Sequence, residues 1–339
     1  MSTPGTNRQI RLAARPQGLP KDSDWDHTSE AVPQPGDGEF LVRLRYLSLD
    51  PAMRGWMNDA PSYVPPVGLG EVMRAAGVGV VEQSNSDRFA VGDLVSGTFG
   101  VQDYAVSDGA GVVKVDTSVA GLPTYLGALG MPGLTAYFGL FDIGALAEGE
   151  TVVVSGAAGA VGSVVGQLAK TKGCRVVGIA GGPEKCRWLT DELGFDAAID
   201  YKNEDVRKRL KEETPDRIDV YFDNVGGSIL EAALNRLAMR GRVVLCGAIS
   251  QYNAEGGMAG PRNYMNLLVY RGRMEGFLVF DFAKRYREAV EQMAGWIGEG
   301  RLQPHEDVVE GSVDDFPDTL LRLFRGENLG KLVLQVSPE

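Results

Sequence analysis

The glycine-rich run GAAGAVG at 156–162 is the part of this 339-residue chain that most clearly suggests a ligand site. A β-branched run at 151–154 precedes them and predicts a strand buried on both faces. After them, apolar residues recur with the spacing of one helix face, at Val161, Val164, Val165, Leu168 and Ala169. A second buried strand is predicted at 175–180. Together the strand, glycine turn, helix and second strand form a βαβ unit of the kind that binds dinucleotides.

Two glycines of this turn have a physical task in such a unit. Gly159 lets the backbone approach a pyrophosphate closely, and Gly162 lets the helix pack against the strand. The helix N-terminus offers N–H groups and a positive dipole end to the phosphates. Ala157 stands where the first glycine of a full G-x-G-x-x-G would be, so a βαβ unit that binds no nucleotide is the alternative. The two strands and the amphipathic helix around the turn favour cofactor binding.

The end of the second strand bears on the choice between NADH and NADPH. A site for NADH usually carries Asp or Glu there, which binds the ribose 2′-hydroxyl. In this chain the strand runs into Gly181 and Gly182, and Lys185 follows at the start of the next helix. A missing carboxylate and a nearby lysine favour the 2′-phosphate of NADPH. The alternative is that Glu184 binds the ribose and Lys185 is a solvated surface residue.

Composition narrows the class of protein. The formal net charge of −11 argues against nucleic acid and against an anionic membrane surface as partners. The first fifteen residues lack the apolar segment of a signal peptide, and no stretch reaches transmembrane length. Three cysteines, Cys174, Cys186 and Cys246, are too few for a disulfide framework, so we expect a cytoplasmic protein with reduced thiols.

The elements around the βαβ unit fall into two groups, and the length of the chain also predicts two domains. Short strands typical of a β barrel are predicted at 39–49, 78–82, 94–97, 102–106 and 111–115. Further sheet strands, alternating with helices, are predicted at 197–200, 218–223, 242–247 and 274–280. The tail at 330–336 has strand character and is expected to rejoin the barrel. The predicted domains are a barrel of residues 1–128 completed by 310–339, and a nucleotide-binding domain of residues 129–309.

Five separated motifs, in this order, resemble those of the zinc-independent alkenal/enone reductases. That branch of the medium-chain dehydrogenases/reductases includes prostaglandin reductase, plant double-bond reductases and bacterial curcumin reductase. The motifs are MPGLTAY at 131–137, AAGAVG at 157–162, FDNVGG at 222–227, CGAISQYN at 246–253 and ENLGK at 327–331. The resemblance covers nearly the whole chain. It implies an α/β fold with an N-terminal GroES-like β barrel and a doubly wound Rossmann domain whose parallel sheet has six strands.

The sequence independently favours the zinc-free branch. A catalytic zinc needs three protein ligands drawn from Cys, His and carboxylates, and a structural zinc usually needs four that are rich in Cys. No cysteine precedes Cys174, and the histidines are His27 and His305. We therefore expect no metal site.

The resemblance implies which residues contact NADPH. Those at the pyrophosphate are Gly159, Ala160, Val161 and Gly162, and those around the 2′-phosphate are Lys185 and Tyr201. Those along the ribose and nicotinamide are Asn224, Cys246, Ile249, Tyr252, Phe277, Val279 and Asn328, with Met131 and Thr135 near the domain junction. Structural roles remain open for several of them. Cys246 suits a small buried residue, Phe277 and Val279 suit core packing along a strand, and Asn224 suits a turn.

The resemblance also implies a mechanism. In this family NADPH gives a hydride to the β-carbon of an α,β-unsaturated carbonyl compound, and the resulting enolate is protonated at the α-carbon. Without a metal, hydrogen-bond donors must stabilise the negative charge that develops on the carbonyl oxygen. Tyr252 resembles the family tyrosine placed for this task, and a neutral phenol suits a donor. The alternative is a structural tyrosine in a loop.

One position departs from the family pattern. Relatives typically read Asp-Pro-Tyr-Met-Arg where this chain reads Asp-Pro-Ala-Met-Arg at 50–54. Since the family tyrosine lines the substrate pocket, Ala52 widens that pocket unless Trp56 or Tyr63 fills the space. The departure predicts a preference for bulky or aromatic enones over short alkenals.

The sequence therefore predicts an NADPH-dependent enone reductase that acts on small alkenals or enones. The alternatives are a quinone reductase of the same superfamily, which needs no dedicated oxyanion donor, and a non-catalytic NADPH-binding sensor. By resemblance we also expect a homodimer in which the sixth strands of two sheets pair edge to edge. The apolar run at 276–280 is compatible with that pairing.

Overall fold

The computed structural model describes residues 5–337. Numbered in chain order, its strands are β1 (Thr6–Leu12), β2 (Trp25–Ala31), β3 (Phe40–Ser48), β4 (Ala76–Ser84), β5 (Leu94–Thr98), β6 (Tyr104–Ser107), β7 (Val113–Lys114), β8 (Thr151–Ser155), β9 (Arg175–Ala180), β10 (Ala197–Asp200), β11 (Ile218–Asp223), β12 (Leu237–Leu245), β13 (Arg273–Gly276), β14 (Glu306–Glu310) and β15 (Lys331–Gln335). Its helices are α1 (Met53–Trp56), α2 (Met131–Phe138), α3 (Ala160–Lys170), α4 (Pro183–Arg187), α5 (Val206–Glu213), α6 (Gly227–Leu234), α7 (Asn266–Tyr270), α8 (Tyr286–Gly298) and α9 (Phe316–Arg325).

The chain divides into two compact units. The first unit is the chain up to Leu126 together with the chain from Glu306 onward, and the second unit is Gly127–His305. Between residues 5 and 337, no helix is both long enough and apolar enough to cross a membrane.

The first unit is built on a sheet with the strand order β14-β15-β3-β4-β5-β7, in which β6 also pairs with β3. Phe40, Val42 and Leu44 alternate along β3 and are buried, so one face of this strand supplies the core. The predicted barrel strands are confirmed, and so is the return of the tail. Strand β15 pairs antiparallel with β3, with Val333 opposite Ser48.

The ribbon of β1 and β2 shows why one strand of this unit was not predicted. Strand β2 reads WDHTSEA, pairs with β1, and is exposed at most of its positions. Since it buries little side-chain surface, it lacks the alternation of apolar and polar residues that reveals a half-buried strand.

The second unit contains the predicted doubly wound sheet. Its six strands are all parallel and have the order β10-β9-β8-β11-β12-β13. In order of appearance this is 3-2-1-4-5-6, so the strand order reverses between β8 and β11. Strand β8 is buried at every position, as its β-branched run predicts. Ligands of such sheets bind at the carboxyl ends of the strands beside this reversal.

The sixth strand of the sheet is shorter than predicted, and the extension to 280 was wrong. Strand β13 ends at Gly276, and a 3₁₀ helix occupies Val279–Arg285. Phe277 packs towards Gly139, where an added Cβ would lie 2.7 Å from the Cζ atom of its ring. Phe277 thus packs against the chain at Gly139, whereas Leu278 and Phe280 of the same run are exposed. Periodicity alone does not distinguish such a short apolar run from a strand.

Candidate functional site

The turn before α3 has the backbone geometry of an anion site. Gly159 is the N-cap residue in an extended conformation, and its N–H donates to the carbonyl of Gly156 at 3.0 Å. The Ser163 N–H donates to the carbonyl of Gly159 at 3.0 Å. The amides of Ala160, Val161 and Gly162 come before this bond in the helix, so they belong to the first turn, whose N–H groups point out of the helix end. Such a terminus suits a phosphate.

The glycines of this turn leave no room for side chains. A Cβ on Gly162 would lie 2.4 Å from the carbonyl oxygen of Gly156, and Gly156 itself has a φ of +59°. Ala157, the departure from the full glycine pattern, is buried with its methyl group next to Gly178 of β9, where an added Cβ would lie 3.0 Å away. The alanine is tolerated because the facing strand residue is a glycine. The turn therefore keeps the cradle that a dinucleotide needs.

The end of β9 opens onto aromatic and basic side chains. A Cβ on Gly181 would lie 2.9 Å from both the ring of Tyr201 and Cε of Lys202, so these two side chains cover the turn. Lys185 lies half-buried in α4, just beyond Gly182. Lys185 and Tyr201 were predicted here from the sequence, whereas Lys202, which directly follows Tyr201, was not. The surroundings of this turn suit a 2′-phosphate.

A carboxylate lies beside the turn at Gly181 and Gly182, but it comes from the neighbouring strand β10 and not from β9. Asp200 ends β10 and is buried, and its carboxylate accepts the N–H of Gly182 at 2.8 Å, the N–H of Lys202 at 3.0 Å and the side-chain amide of Asn203 at 2.7 Å. Burial opposes ionisation, but these hydrogen bonds prevail and lower the pKa of Asp200. The charged carboxylate thus holds the backbone of both loops.

Asn224 and Ser155 connect the two strands at which the sheet order reverses. The Asn224 N–H donates to Ser155 Oγ at 2.9 Å, and its side-chain amide donates to the Ser155 carbonyl at 2.7 Å. These bonds tie the end of β8 to the end of β11. The side-chain amide of Asn224 therefore helps to hold these two strand ends together.

Asp223 is a central residue of this end of the sheet that the sequence analysis missed. It is fully buried, and its Oδ1 accepts hydrogen bonds from Ser155 Oγ, Tyr221 Oη and the N–H groups of Val225 and Gly226. Its Oδ2 is buried without a hydrogen-bond partner among residues 5–337. Burial raises the pKa of Asp223, against the opposing effect of these hydrogen bonds. An acid directly after the buried hydrophobic residues 220–222 was the available signal.

Tyr252 lies at the carboxyl end of β12, after the 3₁₀ helix Ile249–Gln251. Its hydroxyl oxygen accepts the N–H of Ala248 at 3.1 Å, and an added Cβ on Gly247 would lie 2.9 Å from it. This bond uses an oxygen lone pair and not the phenolic proton. The hydroxyl is thus held at the strand end where ligands of this fold bind.

Two more predicted residues lie at the same end of the sheet. The N–H groups of Cys246 and Ile249 donate to the carbonyls of Asp223 and Asn224, at 2.9 Å and 3.2 Å. Burial and the neighbouring Asp223 raise the pKa of the Cys246 thiol to about 12. The thiol is therefore neutral near pH 7, which suits a small packing residue better than a nucleophile.

Phe277 and Val279 follow the carboxyl end of β13, where Gly276 pairs with Leu245 of β12. The ring of the half-buried Phe277 contacts Phe282 edge to face, with centroids 6.5 Å apart. Val279 begins a 3₁₀ helix, and neither residue lies on a strand as predicted. Met131 and Thr135 lie one turn apart on α2, which packs against α3.

The predicted substrate residues lie in the first unit around α1. The Trp56 N–H donates to the Ala52 carbonyl at 3.2 Å, so these two residues share one helix face. Trp56 Nε1 donates to the Tyr63 hydroxyl at 3.3 Å, and the Arg74 guanidinium lies 5.6 Å from the centre of the Trp56 ring. The segment 59–66, which includes Tyr63, lines an open cavity of about 450 Å³.

Asn328 is the one predicted cofactor residue of the first unit. It is buried, and its side-chain amide donates to the Gly330 carbonyl at 2.9 Å. Within the described part of the chain, no group of three or more His, Cys, Asp or Glu side chains is placed to hold a metal ion.

Comparison with known proteins adds to this geometry. A family model described as the N-terminal domain of oxidoreductase matches residues 8–115, and one described as zinc-binding dehydrogenase matches residues 160–295. The NADPH-dependent curcumin reductase of Escherichia coli is 43% identical over 336 residues, which are 98% of this chain and 97% of the relative. The NADP⁺-dependent 2-alkenal reductase of Nicotiana tabacum is 41% identical over 341 aligned positions, and the alignment covers 98% of each chain.

A solved structure gives the same result at the level of the fold. The crystal structure of CurA from Vibrio vulnificus in complex with NADPH superimposes with a TM-score of 0.93. It is 45% identical in sequence and covers 98% of this chain and 100% of its own.

Proposed function

The chain belongs to the zinc-independent medium-chain dehydrogenases/reductases, in the branch of the enone reductases, and from this premise we propose that it reduces the C=C bond of α,β-unsaturated aldehydes and ketones with NADPH. The observation that carries the proposal is the Tyr252 hydroxyl, held by the Ala248 amide at the carboxyl end of β12. The same unit contains the glycine turn suited to a dinucleotide. The names of the relatives, curcumin reductase and 2-alkenal reductase, support the same reaction class.

The residues of the second unit fit the cofactor. A side chain at Gly162 would clash with the backbone of Gly156, and one at Gly181 would clash with Tyr201 and Lys202, so both turns require glycine. The first-turn amides of Ala160, Val161 and Gly162 would hold the pyrophosphate, and Lys185, Tyr201 and Lys202 would hold the 2′-phosphate. Asn224, Cys246 and Ile249 would border the nicotinamide end, and the family resemblance assigns Asn328 to the same part of the cofactor. When bound, NADPH supplies the hydride for the β-carbon.

Tyr252 supplies the stabilisation that this reaction requires. Negative charge develops on the substrate carbonyl oxygen, and a fixed O–H donor offsets it best when it needs no reorganisation. The bond from the Ala248 N–H fixes the phenol oxygen and polarises its O–H, because hydrogen bonds in a chain strengthen one another. Tyr252 therefore acts as a neutral electrostatic donor to the carbonyl oxygen.

The substrate class follows from the residues around Ala52. Trp56 shares a helix face with Ala52 and hydrogen-bonds to Tyr63. An indole and a phenol therefore lie near position 52, where relatives carry the family tyrosine. Flat aromatic side chains favour a flat, apolar substrate. The chain prefers bulky or aryl enones over short alkenals.

Restoring the family tyrosine tests this preference. Ala52→Tyr is expected to lower kcat/KM for a bulky aryl enone about tenfold and to change that for a short alkenal less than threefold, since steric exclusion costs roughly 1–3 kcal/mol. Ser62→Ala, in the same segment as Tyr63, is the control and leaves both values unchanged. A wild-type enzyme that uses the short alkenal as well as the aryl enone contradicts the preference.

The decisive experiment for the reaction class follows NADPH absorbance with four acceptors: a short alkenal, a bulky aryl enone, a quinone and a saturated ketone. NADH is run in parallel. We expect oxidation of NADPH with the enones and none with the saturated ketone, and slower oxidation of NADH. Turnover with the quinone alone would replace the proposal by a quinone reductase. No turnover with any acceptor, together with measured NADPH binding, would replace it by a binding protein.

We also propose that the protein is a cytoplasmic homodimer whose two sheets pair through β13. Strand β13 stands at the end of the sheet, which leaves an edge for pairing. Exposed apolar residues flank it, among them Leu268, Val269 and Phe280.

A further inference from the structure

Lys331 is an ammonium group buried in the first unit. It is the first residue of β15 and only 2% exposed. Its Nζ donates to the carbonyl of Leu49 at 2.7 Å and to Asp50 Oδ1 at 2.7 Å. A buried ammonium is costly unless it is paired and hydrogen-bonded, and this one satisfies both conditions. Its two partners are therefore held firmly in place.

The pair with Asp50 is fixed from the other side as well. Ser48 Oγ donates to Asp50 Oδ2, so both carboxylate oxygens accept a hydrogen bond. The N–H of Leu49 donates to the carbonyl of Leu332 at 3.3 Å, which joins the same two segments through the backbone. The end of β3 and the start of β15 thus form one braced corner.

This corner connects two segments that carry predicted site residues. Downstream of Asp50, its carbonyl accepts the N–H of Met53 at 3.0 Å, which starts α1 next to Ala52. Upstream of Lys331, the side chain of Asn328 donates to the Gly330 carbonyl at 2.9 Å. The ammonium of Lys331 is therefore close to both segments: its partner Asp50 is two residues before Ala52, and Lys331 itself is three residues after Asn328.

We propose that Lys331 is a positioning residue for the reaction, which fixes the Ala52 segment and the Asn328 segment relative to each other. The inference rests on the proposed function, because only that function places Ala52 at the substrate and Asn328 at the nicotinamide. Hydride transfer requires donor and acceptor carbons in one geometry, and a small misplacement lowers its rate steeply. The residues proposed for the phosphates lie in the second unit, so loss of Lys331 lowers the rate of turnover much more than the affinity for NADPH.

The test uses the full-length protein and three single variants. Lys331→Met removes the ammonium and keeps the aliphatic stem, and Asp50→Asn keeps the ammonium and removes the opposing charge. Arg8→Met is the matched control, because it breaks the partly buried ion pair between Arg8 and Asp103, 2.8 Å apart in the same unit. For each we measure kcat, KM, the NADPH Kd and the primary isotope effect with NADPH deuterated at the transferred position.

We expect Lys331→Met and Asp50→Asn to lower kcat at least tenfold, with the NADPH Kd within twofold of wild type. The isotope effect should increase, since a misaligned transfer becomes rate-limiting. The double variant should be no worse than the worse single variant, because both remove one interaction. Arg8→Met should leave all four quantities unchanged. A kcat within twofold of wild type in either of the two corner variants overturns the inference, as does an equal loss in Arg8→Met.

Hydrogen exchange separates this inference from the proposed function. In Lys331→Met, amide exchange should accelerate at least tenfold in both 49–57 and 326–333 and remain unchanged in the second unit. If wild-type protein reduces no enone but shows this coupled acceleration, the proposed function fails while the structural link stands. If wild type is active and the two segments exchange as before in the variant, the positioning role fails alone. If Lys331→Met does not fold, Asp50→Asn provides both measurements.

Discussion

At the scale of single residues, Tyr252 is the group whose chemistry can be tested most directly. Its hydroxyl is held at 3.1 Å from the Ala248 amide, at the strand end where the substrate carbonyl is proposed to lie. Tyr252→Phe removes the proposed donor and should lower kcat for enones about 10²-fold, as loss of one oxyanion donor does. Quinone reduction should fall much less, because it needs no such donor. Steady-state kinetics with both acceptors measures the difference.

Tyr264→Phe is the control for this variant. Tyr264 follows in the same loop region and is 59% exposed, so it loses a hydroxyl without touching the proposed site. Its kinetics should equal those of wild type. Enone turnover by Tyr252→Phe within threefold of wild type would remove Tyr252 from the mechanism.

The three cysteine thiols have raised pKa values, which protects them from alkylation by electrophilic enones. Burial raises the pKa of the Cys174 thiol. Burial, with Asp200 and Glu204 nearby, raises the pKa of Cys186 to about 11. Burial and Asp223 raise the pKa of Cys246 to about 12. Since the thiolate is the reactive form, at pH 8 only about one Cys186 in a thousand is reactive.

Alkylation with iodoacetamide checks this protection. At pH 8 the native protein should be labelled at least tenfold more slowly than the urea-unfolded protein, in which the thiol pKa returns to about 8.5. Between pH 8 and 10 the rate for Cys186 should rise about tenfold per unit, because the thiolate fraction rises in that proportion below the pKa. Mass spectrometry of the labelled peptides gives each rate. A rate at Cys186 that is independent of pH would contradict the prediction.

The site residues differ in how far the sequence could reveal them. The glycines of the turn and Tyr252 belong to local motifs, and the pattern of neighbouring residues marks them. Asp223 and Lys331 could not be given a role in this way. Each has a partner far along the chain: Ser155 is 68 positions from Asp223, and Asp50 is 281 positions from Lys331. Only the folded sheet brings such pairs together.

At the scale of elements, the turn between β8 and α3 decides whether a dinucleotide can approach. A Cβ on Gly162 would lie 2.4 Å from the Gly156 carbonyl oxygen, which belongs to the backbone and cannot rotate away. Gly162→Ala should therefore shift the N-terminus of α3, lower the stability by about 1–3 kcal/mol and raise the NADPH Kd at least tenfold. Urea unfolding and fluorescence titration with NADPH measure the two effects.

A glycine in a different helix provides the control. Gly295 lies inside α8, and an added Cβ there meets no atom within 4 Å. Gly295→Ala should stabilise the protein by about 0.5–1 kcal/mol, because alanine favours the helix more than glycine does. Its NADPH Kd should not change. Unaltered NADPH binding in Gly162→Ala would show that this turn does not hold the cofactor.

Elements that bury one continuous or alternating apolar face were predicted well, and those that do not were missed or misjudged. Strand β9 matches its predicted bounds because all but its first residue are buried. Strand β2 was missed because its side chains are mostly exposed. The run after Gly276 was wrongly predicted as strand because its residues are apolar, although Leu278 and Phe280 are exposed and a 3₁₀ helix begins at Val279.

At the scale of the whole molecule, the edge of the parallel sheet is the surface most in need of a partner. Strand β13 ends the sheet order, so one of its sides presents backbone N–H and C=O groups outside the ladder. Leu268 is 70% exposed, Val269 56% and Phe280 48%. Apolar side chains grouped beside an open strand edge mark a protein interface. A chain of net charge −11 would otherwise repel its own copies, so such a contact must be specific.

The proposed occupant of this edge is a second copy of the chain, since a two-fold axis lets β13 pair with itself. Light scattering at micromolar concentration should give twice the mass of one 36.4 kDa chain.

Replacing Leu268 and Phe280 by Asp places two charges per copy at the interface and should raise the dimer Kd at least 100-fold, as desolvating unpaired charges costs several kcal/mol. Val119→Asp, at a 42% exposed position of the first unit, is the control and should remain dimeric. Because all three side chains are exposed, none of the substitutions should lower the unfolding temperature of the monomer. A wild-type mass of one chain would refute the dimer, and a dimer that survives both Asp substitutions would place its interface elsewhere.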